Sequence, residues 1–224
     1  PAHLLPVAQV LAIGARVAGA LDYAHAHHVV HRDVKPANIM WDPATDTVKV
    51  MDFGVARITD ASKTRTGIVL GTPSFMSPEQ LCGAKVDGRT DLYALGVTLF
   101  QLLTGALPLR AQSMPELMHK IVHVPAPDVR TLRPDLPEAV ATLVAKALNK
   151  RPEDRYQTGA QLAQALTHAM DNALQQSIGE VTAAVVYDPD RSPAEQNMLL
   201  TKTTVLEHPQ QQSPASRPVA APVG

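Results

Sequence analysis

The stretch DLYALGVTLFQLLTG, residues 91–105, places the tightest constraint on the fold. It is apolar nearly all round, so no face of it suits water, and a helix of that kind has to be enclosed by other elements. A glycine at its end predicts a buried central helix that stops at Gly105. A chain of 224 residues can supply the enclosure within one good-sized domain and still leave residues over.

The neighbouring segments supply that enclosure. Over residues 7–28, Val10, Leu11, Gly14, Val17, Ala18, Leu21 and Ala24 recur at three- and four-residue spacing with Pro6 near the start, which predicts a second helix. Residues 29–30 and 39–41 are short apolar pieces that read as strands. TVKVMDFG comes after the turn-like WDPATD and reads as the second strand of a small hairpin. Residues 55–78 carry little periodicity and many Ser, Thr and Gly, so a long functional loop is expected there. Three later helices open with capping-box patterns: Ser113 with Glu116, Asp135 with Glu138, and Thr158 with Gln161. After residue 174 proline and glutamine accumulate, and EHPQQQSPASRPVAAPVG cannot bury enough apolar surface to fold alone. The expected organisation is a mainly α body over 1–174 and a flexible, disordered tail over 175–224.

Composition narrows the function classes. The hydrophobic share of 45% is that of an ordinary globular chain, and a net charge of −1 gives no electrostatic case for nucleic acid or an anionic membrane. The single cysteine, Cys82, excludes an internal disulfide and suits a reducing compartment. No run approaches eighteen uninterrupted apolar residues, and no signal-peptide pattern opens the chain, so a cytoplasmic location is expected. Pro1 is not an initiator methionine and is not taken as the natural start.

Chemistry concentrates in HRDVKPAN, His31 to Asn38. Three polar residues in a turn need no catalytic explanation, but the motifs downstream of them come in a fixed order. Asp33 precedes Lys35 by two positions and Asn38 by five; then come DFG (Asp52, Phe53, Gly54), GTPSFMSPEQ at 71–80 and RTDLYALG at 89–96. Over about residues 4–170 this series resembles the C-terminal lobe of the protein kinases, specifically the eukaryotic-like serine/threonine kinases of bacteria.

The resemblance implies a protein-kinase-like C-lobe with a small β-hairpin region. It implies transfer of the ATP γ-phosphate to Ser/Thr hydroxyls, with ATP and Mg²⁺ as cofactors. Asp33 would be the catalytic base, a role that suits a carboxylate because it is an acceptor without a proton of its own. Lys35 would set a compact positive charge against the transferring phosphate. Asn38 and Asp52 would hold Mg²⁺ through hard oxygen atoms. Met40 would floor the adenine pocket, and Gly54 would let the backbone turn after Asp52. Lys35 in this loop and Thr72, which would hydrogen-bond the catalytic Asp and Lys, point to Ser/Thr acceptors. Arg32 would pair with a phosphate on the later loop, where Thr64 and Thr66 are the expected autophosphorylation sites. Glu79 and Arg155 would form a buried ion pair, Asp91 would brace the catalytic loop, and His31 and Phe53 would stack beneath it. Expected partners are protein substrates with Ser/Thr acceptors, the missing N-lobe in cis, and a second copy in a homodimer through the kinase domains; nucleic acid is not among them.

Other features have plainer readings. His25, His27, His28 and His31 gather at a helix end, where polar or cationic side chains suit the loose carbonyls, and no ligand pattern makes them a metal site. GARVAG at 14–19 lacks the Lys-Ser/Thr of a phosphate loop and keeps the helical period. Cys82 reads as incidental, and Thr201, Thr203 and Thr204 as ordinary tail residues. The family also needs a glycine-rich loop, a strand lysine and a helix glutamate ahead of the catalytic loop. Only thirty residues precede His31, and they contain no such motifs. The N-lobe is missing, so this chain alone is expected to be inactive, with an exposed docking surface that favours association. The alternative reading is an orphan kinase lobe that acts as a binding or scaffold module. A longer form could be membrane-tethered.

Overall fold

The computed structural model describes residues 4–53 and 73–186, with side chains as far as residue 172. The chain divides into two units, 1–174 and 175–224.

The first unit is built around one helix. In chain order the helices are α1 (Val7–Ala26), α2 (Pro78–Leu81), α3 (Arg89–Thr104), α4 (Met114–His123), α5 (Glu138–Ala147) and α6 (Gly159–Val186). Every residue of α3 from Thr90 to Phe100 is buried, as its apolar circumference demands. The helix stops at Gly105, whose φ of 73° is a left-handed cap that glycine adopts without strain. α1 buries Val10, Leu11, Val17 and Leu21 completely against it. By length and mean hydropathy α1 could cross a membrane, but these side chains place it in a core.

Small residues set how close the helices come. A Cβ on Gly96 would lie 2.9 Å from that of Ala147, where α3 meets α5. A Cβ on Gly159 would lie 2.3 Å from the Ala18 carbonyl oxygen, so α6 can start against α1 only with glycine there. The Ala160 N–H then donates to Asp22 Oδ1 at 2.9 Å, satisfying one of the loose donors of α6. Leu162 and Leu166 complete this layer, both fully buried. A smaller cluster of Leu109, Leu117 and Ile121 seats α4.

Strands β1 (Ile39–Asp42) and β2 (Thr47–Val50) form an antiparallel hairpin with Ile39 opposite Val50 and Trp41 opposite Val48. Those residues pack on the core, while Met40 and Lys49 occupy the other face and are exposed. Asp42 closes the turn by accepting from Ala44 N and Thr45 Oγ1, and Arg16 of α1 pairs with Asp46.

Several expectations are corrected. Residues 29–30 are not assigned to a strand, and no strand among the described residues pairs with them. α5 starts from Pro137, not Asp135; the Asp135 carboxylate is held by Arg133 at 2.8 Å instead. At α4 and α6, Ser113 and Thr158 do cap, but Glu116 and Gln161 reach back one residue too far, to the N–H groups of Gln112 and Gln157. The complete capping box lies at α2, where Ser77 and Gln80 exchange both bonds. α6 continues through Val186, past residue 174. Its later sequence is rich in Ala and Gln, both good helix formers, and keeps Ile178, Val181 and Val185 at helical spacing.

Candidate active site

The segment from His31 to Asn38 leaves α1, passes over the start of α3 and enters β1. Arg32 adopts φ 67°, a left-handed conformation that costs a non-glycine residue roughly 1–2 kcal/mol. What holds it there is Asp91, completely buried in the first turn of α3. Asp91 accepts from His31 N at 2.8 Å and Arg32 N at 2.7 Å, two successive amides that form a concave anion site. His25 Nε2 reaches the same carboxylate at 2.8 Å, and Gln80 donates to the Arg32 carbonyl at 3.3 Å. A buried carboxylate with three donors and a helix N-terminus beside it is well compensated.

His31 is completely buried and couples the two halves of the site. Its Nδ1 accepts from Asp33 N at 3.2 Å, so its proton sits on Nε2, which donates to the Met51 carbonyl at 2.9 Å. Its ring lies 4.5 Å from that of Phe53. The backbone of Met51 in turn donates to the Asn38 carbonyl at 2.8 Å. These bonds bring the Asp52 segment alongside Asn38. Asp52 is exposed and also left-handed, with φ 57°.

The polar side chains converge on Asp33. Lys35 Nζ lies 2.8 Å from its Oδ2, and both side chains are partly exposed. Asn38, largely buried, spends its amide nitrogen on the Asp33 carbonyl at 2.8 Å and on Oδ2 at 3.1 Å. Its Oδ1 and the Asp52 carboxylate accept no hydrogen bond among the described residues. Met40 projects from the exposed face of β1 with half its surface open. Arg32 Nε is buried without a hydrogen-bond partner among the described residues. Gly54, Thr64, Thr66 and Thr72 lie outside the described residues.

A second polar centre supports the site from below. Arg155 meets Glu79 in a two-pronged pair, Nη1 to Oε1 and Nη2 to Oε2, each 2.8 Å. Its other donors go to the carbonyls of Asn149, Lys150 and Arg89, so all five N–H groups are used. Burial alone would raise the Glu79 carboxyl, but hydrogen bonds from Arg155 and Thr90, with the guanidinium charge, outweigh it and hold the group below the usual carboxylate range. Tyr93, stacked 4.9 Å from that guanidinium, is pushed up to about 12, chiefly by burial. Burial and the nearby Arg155 charge lower Lys150 to about 8. Lys150 Nζ donates to the Ile121 carbonyl at 2.7 Å, in the last turn of α4.

Two residues of this site escape a sequence reading. His25 is classed with its neighbours as a helix-end histidine, although its position four residues after buried Leu21 puts it on the inner side of α1. Gly88 has ordinary helical dihedrals, yet a Cβ there would lie 2.5 Å from the His25 ring. Nothing in the local sequence signals that contact.

The family of the protein kinase domain matches residues 3–170. Among curated proteins, the chain is 41% identical over 160 residues to the DNA damage-responsive serine/threonine-protein kinase RqkA of Deinococcus radiodurans, covering 70% of this chain and 24% of that protein. It is 46% identical over 158 residues to the serine/threonine-protein kinase pkn3 of Myxococcus xanthus, covering 66% and 29%. The crystal structure of the Mycobacterium tuberculosis PknI kinase domain aligns with a TM-score of 0.57 at 35% identity, over 75% of this chain and 57% of that one. The chain thus spans roughly a quarter to a third of these curated relatives. Among the described residues, its helices and single small hairpin are those of a protein-kinase-like fold, and the chain belongs to the protein kinase family, alongside the serine/threonine kinases of bacteria.

Proposed function

We propose that this chain is the C-terminal lobe of a serine/threonine protein kinase, completed in cis by an N-lobe, and that Asp33 is its catalytic base. The observation that carries the reading is the convergence on Asp33: its Oδ2 is held by Lys35 and Asn38, and Asn38 is tied through Met51 to the Asp52 segment. Asp33 accepts the hydrogen bond, and then the proton, of the Ser/Thr hydroxyl. Lys35, already beside it, offsets negative charge on the transferring group. Mg²⁺-ATP, when bound, supplies the phosphoryl group and the metal that neutralises it. The donor set fits that ion: Asn38 Oδ1 and the Asp52 carboxylate are hard oxygens uncommitted among the described residues, and Mg²⁺ takes one or two protein oxygens besides phosphate and water. Met40, on the open face of the hairpin, serves as the adenine floor.

The rigid mounting of the loop supports this reading, because positioning is most of what phosphoryl transfer asks of a protein. Arg32 Nε, buried and without a hydrogen-bond partner among the described residues, supports a loop phosphate on Thr64 or Thr66 as the ordering signal. By resemblance to the serine/threonine kinases, Thr72 would hydrogen-bond Asp33 and Lys35. The lobe works in the cytoplasm, where ATP is available, on protein substrates. Incubation of this chain with Mg²⁺-ATP and a Ser/Thr protein is expected to give no transfer, and joining it to a kinase N-lobe is expected to restore transfer to Ser and Thr alone. Transfer to tyrosine, or none in the joined chain, would point instead to a binding or scaffold lobe.

A further inference from the structure

We propose that His119 and His123, on the exposed side of α4, form a two-histidine clip for a divalent transition metal of the Zn²⁺, Ni²⁺ or Cu²⁺ type. The two residues stand one helical turn apart at i and i+4, and both are exposed. Their ring centroids are 4.8 Å apart, with planes inclined by 46°. A metal about 2.1 Å from a ring nitrogen and in line with that ring's centroid lies about 3.2 Å from the centroid, so once a nitrogen of each ring turns to a shared ion, this spacing corresponds to roughly 97° at the metal. That angle falls between the right angle of square or octahedral sites and the tetrahedral one, which these metals accept.

The helix end favours a cation, and Lys150, whose ammonium reaches this turn, is occupied by the Ile121 carbonyl. His123 is the last residue of α4, where the helix dipole is negative. Lys120, the nearest fixed positive charge in sequence, is paired with Glu116 at 2.8 Å and bonded to the Arg110 carbonyl at 3.0 Å. Glu116, one turn before His119, is engaged by Lys120 and by Gln112 N. No cluster of three or more ligating side chains occurs among the described residues, so two imidazoles are the whole protein contribution and water fills the other positions. Imidazole donors select borderline metals and leave Mg²⁺ to oxygen sites such as Asn38 and Asp52, so this clip is chemically independent of the proposed catalytic metal. A metal across the pair would staple the last turn of α4, the same turn whose Ile121 carbonyl takes Lys150.

Titration of the whole chain with NiCl₂ by calorimetry tests the proposal, with His119→Ala, His123→Ala and the double variant, and His168→Ala as a lone exposed control. The wild type and control are expected to bind one Ni²⁺ at least ~10-fold more tightly than either single variant, with no displacement by millimolar Mg²⁺. Hydrogen exchange at the amides of residues 121–124 is expected to slow on Ni²⁺ addition in wild type and not in the double variant, which also reports whether α4 still forms. Equal Ni²⁺ affinity in wild type and double variant, or exchange that Ni²⁺ leaves unchanged in the wild type, would overturn it.

Discussion

Removing the Glu79 carboxylate should be among the most damaging single changes to this lobe. In Glu79→Ala the Arg155 guanidinium stays in a site where its side chain has no exposure, two of its five donors lose their partner, and Thr90 Oγ1 loses its acceptor. Breaking a buried pair from one side costs about 3–5 kcal/mol, because a charge is left without compensation. A domain of this size loses about 2–4 °C of melting temperature per kcal/mol, so the variant should melt roughly 6–20 °C lower. Arg155→Met should cost at least as much, since it also strips the carbonyls of Asn149, Lys150 and Arg89 of their donor. The double variant should then cost less than the sum of the singles by about 2–3 kcal/mol, without returning to wild type. Urea unfolding monitored by circular dichroism gives all four corners of the cycle. The sign with pH is also fixed. The folded Glu79 carboxyl titrates below its unfolded value of about 4.3, so its contribution is complete above that pH and is lost as pH falls through the folded value. Glu79→Gln should therefore flatten the acid limb of the stability profile. A Glu79→Ala variant within 1 kcal/mol of wild type, or strictly additive singles, would refute the reasoning.

The same contacts set two further outcomes. Gly88→Ala should displace the His25 ring from Asp91, since the new Cβ would lie 2.5–2.8 Å from ring atoms, and cost about 1–3 kcal/mol in urea unfolding; the added effect of His25→Ala in that background should be small, and full additivity would break the link. Lys150, lowered to about 8 against about 10.4 unfolded, binds fewer protons when folded, so stability should rise between about pH 8 and 10 and then fall above 10 as the unfolded chain sheds protons from Tyr93 first; Lys150→Met should abolish the rise, and a rise that persists in that variant would place its source elsewhere.

Much of this architecture is legible in the sequence because it rests on local regularities. The buried α3 comes from a run that is apolar nearly all round, the amphipathic α1 from periodicity, and the hairpin from a turn signal between two short apolar runs. Asp33, Lys35, Asn38 and Asp52 stand out by their order. The features that stay hidden depend on contacts between distant segments. Gly159 matters because of the Ala18 carbonyl and Gly88 because of a ring on α1, and neither distance is written near those glycines. The boxes at Ser113 and Thr158 fail by one residue for a similar reason: the pattern marks a helix start, but rotamer and loop geometry decide which N–H the Glu116 or Gln161 side chain meets. The left-handed turns at Arg32 and Asp52 carry no glycine to announce them, because buried partners around Asp91 and His31 impose the conformation instead.

The central claim, that Asp33 is the base of a phosphoryl-transfer site built by this lobe, has a direct test in this chain joined to a kinase N-lobe. Radiolabel from γ-labelled ATP should pass to Ser/Thr protein in the presence of Mg²⁺, and Asp33→Ala should lower that rate by roughly 10²–10⁴-fold while the melting curve changes little. A variant that transfers phosphate at the wild-type rate would contradict the account.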